Sequence, residues 1–211
     1  MVIILDASTS VGQDNFQKML QFVKDFLGNA DIDSGNVQAG VLTYSTSFKI
    51  EFQIGQHTTS AELQEAIDKI PYTYGSTNTA DALLTMATKM FTTSADRPDA
   101  PNIAIVVTDG ISNINSRRTI TEAINARAKN IHIYSIGIGL KDTKEVFAIA
   151  TPPPEENSFN VQSFDELRGL DQKIFSSICP GMFIHVFLQY LTLSVILFNI
   201  MSFTRNIPKC A

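Results

Sequence analysis

Two runs of consecutive apolar residues end in aspartate: residues 2–5 (VIIL) lead into Asp6, and "PNIAIVVTDG" carries its acid at Asp109. A run with no polar alternation is the pattern of a strand buried on both faces, and such strands occur in parallel sheets covered by helices. "IHIYSIGIG" (131–139) is a third run of this kind. Between the runs the period changes to that of helices. Residues 12–28 place Phe16, Met19, Leu20, Val23, Phe26 and Leu27 on one stripe with Gly28 as the stop. Further helices are expected over 78–91, 119–129, about 144–150 and 164–178, and from Ser60, which is a plausible cap. Residues 36–45 and 48–54 read as an antiparallel strand pair, "TPPPEENS" as a loop and "FNV" as an edge strand. The expected fold is therefore α/β: a doubly wound, mostly parallel six-stranded sheet with one short antiparallel edge strand and helices on both faces.

A length of 211 residues suits one domain with a proper core. From residue 181 onward there are no acids and only Arg205 and Lys209, so the first 180 residues carry 14 basic against 21 acidic groups, a net of −7. That balance argues against nucleic-acid binding. Residues 182–203 hold no charged group apart from a protonatable His185; as a helix they rise about 33 Å, against a bilayer core of roughly 30 Å. A membrane span is expected there, with 204–211 as a short basic tail on the cytosolic side and the domain outside. The opening strand begins at residue 2, so a preceding flank is expected. Cys179 and Cys210 lie on opposite sides of the apolar stretch and are not expected to pair; there is no zinc spacing and no Asn-x-Ser/Thr site.

Polar groups at the ends of buried strands need partners. Asp6, Ser8 and Ser10 follow the first strand, Thr77 lies in "GSTNT" ahead of a helix, and Asp109 follows the strand from Pro101. Each is explicable alone: Ser8, Ser10 and Thr77 as helix caps, Asp109-Gly110 as a turn. Together they supply only oxygen, with few carboxylates and several hydroxyls, a set suited to Mg²⁺ or another hard cation. In doubly wound sheets ligands sit beyond the carboxyl ends of the strands, where these residues fall. A Mg²⁺-dependent phosphoryl-transfer enzyme is a remote alternative. No second acid lies two residues after Asp6, no phosphate loop is present, and neither His57, His132 nor His185 is a credible base.

"ILDASTSVG", "YGSTNTADAL" and "IAIVVTDGISN" resemble the three loops of the metal-ion-dependent adhesion site of the von Willebrand factor type A domain, the family of matrilin and collagen VI modules and integrin inserted domains. The resemblance covers about residues 1–179. It implies that Ser8 and Ser10 bind the metal directly and that Thr77 does so when ligand is engaged. Asp6 and Asp109 would act mainly through water or switch between shells. The ion would be Mg²⁺ (or Mn²⁺ or Ca²⁺), and its open position would take a Glu or Asp from an extracellular partner such as a collagen or other matrix protein. The implied role is non-catalytic adhesion, secreted or at the cell surface, with a metal-independent module as the alternative. Three departures stand out: no second glycine beside Gly75, Ala80 where glycine is common, and no upstream cysteine to pair with Cys179.

Overall fold

The computed structural model describes residues 1–92 and 96–178. Its six-stranded sheet has the order β3-β2-β1-β4-β5-β6, with β1 Val2–Asp6, β2 Gly40–Tyr44, β3 Phe48–Phe52, β4 Asn102–Thr108, β5 Ile131–Ile138 and β6 Ser158–Val161. All neighbours are parallel except β2 and β3. The expected doubly wound α/β architecture, with its short antiparallel edge, is what forms.

β1 explains the arrangement. All five of its residues are buried, and alternate side chains feed two cores. Ile3 and Leu5 join Phe16, Met19, Val23 and Phe26 of α1 (Gln13–Gly28) on one face. Val2 and Ile4 join Leu83 of α3 (Thr79–Thr85) and Ala123 and Ala126 of α4 (Ser116–Arg127) on the other. Phe26 meets Phe175 of α7 (Leu170–Ile178) edge-on at 6.0 Å between ring centroids, tying first helix to last. The chain leaves β1 for β2 on one side and returns to β4 on the other, so strand order reverses at the β1–β4 crevice. Both acids of the motif loops lie there.

Several expectations need correction. α2 (Ser60–Asp68) is capped by Thr59, whose side chain accepts from the Glu62 amide; Ser60 is the first helical residue and bonds Asp33 instead. The helix expected over 78–91 is α-helical only to Thr85 and widens into π-type turns over Met86–Met90, where the Thr88 hydroxyl takes the Leu84 carbonyl at 2.6 Å. α4 starts at Ser116, three residues early, behind a left-handed Asn115. α5 (Lys144–Ile149) forms as expected. "PPPEEN" contains a short helix, α6 (Pro154–Asn157), because proline is accepted in a first turn. The final helix is split: Phe164–Leu167 is a 3₁₀ turn, Gly169 takes φ +92°, and α7 follows.

The last turn of α7 shares a cleft with His132, near the amino end of β5, and with Pro152 and Pro153. The start of β1 and the end of α7 therefore lie on the same side, facing the amino ends of the parallel strands. The expected membrane span over 182–203, the basic tail and both cysteines lie outside the described residues. Among the described residues no helix is long and apolar enough to cross a membrane.

Candidate metal centre

Asp6 is the last residue of β1, fully buried, and its carboxylate is held from two sides. Oδ1 accepts the Ser8 amide at 2.9 Å, and Oδ2 accepts the Thr108 hydroxyl at 2.6 Å. The register makes the second bond: Leu5 faces Val107 across β1–β4, so the next residues, Asp6 and Thr108, meet at the strand ends. The Ser8 and Ser10 hydroxyls lie 3.1 Å apart, and Ser10 donates to Asp109 Oδ1 at 2.8 Å. A Cβ on Gly110 would stand 3.8 Å from Ser10 Oγ and 3.9 Å from Thr77 Oγ1, which brings Thr77 to the same cluster. All five expected residues therefore meet at one place, contributed by three loops.

The capping alternative fails on geometry. α1 begins after Gly12, at φ +74°, with no side-chain cap, so neither Ser8 nor Ser10 serves its amides. α3 is capped by Asn78, whose side chain accepts from the Asp81 amide, so Thr77 is not needed there. Instead the Thr77 carbonyl accepts the amides of Asn113 and Ile114 at 3.0 and 3.1 Å, and its amide donates to Asn113 Oδ1 at 2.9 Å. This clasp locks the loop before α3 to the loop after β4.

Electrostatically the site is one-sided. Burial pushes the Asp6 carboxyl up to about 6, against the pull of the Thr108 and Ser8 bonds, and the Asp109 charge adds to the rise. Burial also raises Asp109, partly offset by Ser10. Neither acid has an ion-pair partner among the described residues. The fully buried Tyr44 hydroxyl beside them keeps its proton far above the ordinary range, from burial first and the Asp6 charge second. Two anions lacking a cation, ringed by three hydroxyls, match the donor chemistry of a hard divalent ion. Among the described residues no three His, Cys, Asp or Glu side chains converge. Acids are thus a minority of the oxygen groups here, and both Asp6 oxygens accept hydrogen bonds.

Four supporting residues escape a reading of the sequence. Thr108 was legible in principle as the strand residue beside Asp109. The Tyr72 hydroxyl donates to the Ser8 carbonyl at 2.9 Å, Asn113 makes the clasp, and half-buried Glu145 of α5 accepts the Ser112 amide at 2.7 Å. Nothing local in the sequence announces these three. At the start of α4, Arg118 is engaged by Asp81 and Glu122, while Arg117 is exposed and unpaired among the described residues.

Comparison with known proteins gives a consistent picture. A family model described as von Willebrand factor type A domain matches residues 1–173. Mouse collagen alpha-6(VI) chain is 32% identical over 183 residues, covering 86% of this chain and 8% of its own length. Chicken matrilin-1 is 28% identical over 181 residues, covering 85% of this chain and 36% of its own. The chain thus spans well under half of the length of these relatives. Among solved structures, proximal thread matrix protein 1 from the mussel byssus, with a zinc-occupied MIDAS motif, matches with a TM-score of 0.77 and 27% identity over 84% of this chain and 47% of that one.

Proposed function

The chain belongs to the von Willebrand factor type A domain family, and on that premise we propose that it is a non-catalytic, extracellular matrix-binding module that holds a divalent cation. The ion would sit among Ser8, Ser10, Thr77, Asp6 and Asp109. The supporting observation is the convergence of two unpaired, partly dehydrated acids and three hydroxyls from three strand-end loops. A zinc-occupied MIDAS motif in the mussel protein lends the reading weight.

When bound, the cation supplies an electrophilic position for a carboxylate from a partner protein. This chain's residues do the rest. Asp6 and Asp109 provide negative charge, and the serine and threonine hydroxyls fill coordination without neutralising the ion further. Mg²⁺ is the expected occupant, with Mn²⁺ or Ca²⁺ as substitutes, and a collagen or another matrix protein offering Glu or Asp is the expected partner.

The test is calorimetric titration of the full chain with Mg²⁺. Saturable binding is expected, weakened at least tenfold by Asp109→Ala and by Ser10→Ala while far-ultraviolet circular dichroism stays unchanged. A folded wild-type chain that takes up no Mg²⁺, Mn²⁺ or Ca²⁺ would overturn the proposal and leave a metal-independent module.

A further inference from the structure

The surface around the candidate cation position is divided in two. On the β1–β2 side the loops are 7–11, 45–47 and 72–78, and none holds a charged residue. They are fastened together: the Thr9 amide donates to the Gly75 carbonyl, the Gly75 amide to Thr9 Oγ1, and the Ser76 amide to Thr46 Oγ1, each within 3.0 Å. Gly75 takes φ +123°, and a Cβ there would stand 2.6 Å from Thr46 Oγ1, so only glycine permits this fastening. On the β4–β5 side lie the start of α4 and the loop after β5. Arg118 is engaged by acids and Lys144 by Asp142, which leaves exposed Arg117 and Lys141 as the cations of this side without an ion pair among the described residues.

Tyr74 stands out on the neutral side. Its φ is +44°, a left-handed conformation that costs an L-residue roughly 1 kcal/mol or more. Its ring is 68% exposed, touching the Tyr72 ring edge-on at 6.2 Å between centroids. A strained position that buries little of its side chain gains nothing for the core. Tyrosine offers a large contact area at low entropic cost, which is why it anchors interfaces.

We infer that the site, read as above, selects a protein segment with three features in order: a proline or aromatic ring, a central Glu or Asp, and a second acid on the opposite side. The ring packs on Tyr74, the central carboxylate completes the cation's coordination, and the second acid faces Arg117 and Lys141. Charge complementarity selects the acidic flank, and the uncharged Tyr74 side gives a second acid no counter-charge.

The inference rests on the cation reading, and the test separates the two. Fluorescein-labelled glycine-spaced peptides would be titrated with the full chain in Mg²⁺ by fluorescence anisotropy. One set carries Phe and Asp on opposite sides of a central Glu, in both chain directions; its isomers carry both on the same side; controls replace Phe or Asp by Gly. One opposite-side peptide is expected to bind tightest and to be lost in chelator. The ring should contribute about two- to tenfold, and the second acid about two- to fivefold, fading with salt. Tyr74→Ala should erase the first factor, and Arg117→Ala with Lys141→Ala the second, with Mg²⁺ affinity by calorimetry unchanged. Equal binding of the isomers by a chain that takes up Mg²⁺ overturns this inference alone, whereas failure to take up Mg²⁺ overturns the underlying reading.

Discussion

At the scale of the residue, Thr108 makes a buried Asp6 tolerable. An acid cut off from water is costly unless its lone pairs are taken, and here the threonine hydroxyl and the Ser8 amide take them. Thr108→Val keeps the shape and removes the donor. The expected result is a loss of about 1–3 kcal/mol in urea unfolding, with Thr108→Ser recovering most of it; an unchanged midpoint would mean that the bond contributes nothing net. Asp6, Ser8, Ser10 and Asp109 were legible as polar residues where apolar runs stop, and Thr77 as a hydroxyl just ahead of a helix. Thr108 was less so, since a threonine inside a strand is ordinary. Glu145 and Tyr72 were not legible, because their contacts span 33 and 64 residues of sequence and come only from tertiary packing.

At the scale of the element, α2 shows how a helix start is assembled from distant parts. Thr59 and Glu62 supply the local half of the cap, while Asp33, from the turn after α1, accepts both the amide and the hydroxyl of Ser60 at 2.9 and 2.7 Å. The amide bond, then the hydroxyl bond, holds the Asp33 carboxyl below its ordinary range. A depressed acid stabilises the fold fully above its unfolded value of about 3.9, and that contribution disappears as pH falls through the folded value. Urea midpoints taken between about pH 5 and pH 2.5 should therefore fall more for wild type than for Asp33→Ala. Parallel curves would refute this. Element identity was readable wherever periodicity was long, as in α1 and the three apolar strands. It was misread where a single residue changes the geometry: Gly169 splits the last helix, and Pro154 starts one inside a proline run.

At the scale of the whole molecule, the two cores meet at the sheet, and the crevice between β1 and β4 carries the charge imbalance that a cation would relieve. A ligand that binds only the folded chain must stabilise all of it. Mg²⁺ at about 100 times its dissociation constant should add about 2.7 kcal/mol. That corresponds to a rise of about 5–10 °C in Tm for a domain of this size, reversed by chelator. A Tm indifferent to Mg²⁺ would count against the site. The strand order also has a mechanical meaning. Because β1 starts and α7 ends on the side facing the strands' amino ends, and the loops with Tyr74 and Arg117 lie past the carboxyl ends, a force applied at Val2 and Ile178 would pull from behind the proposed binding surface and leave its loops out of the line of load.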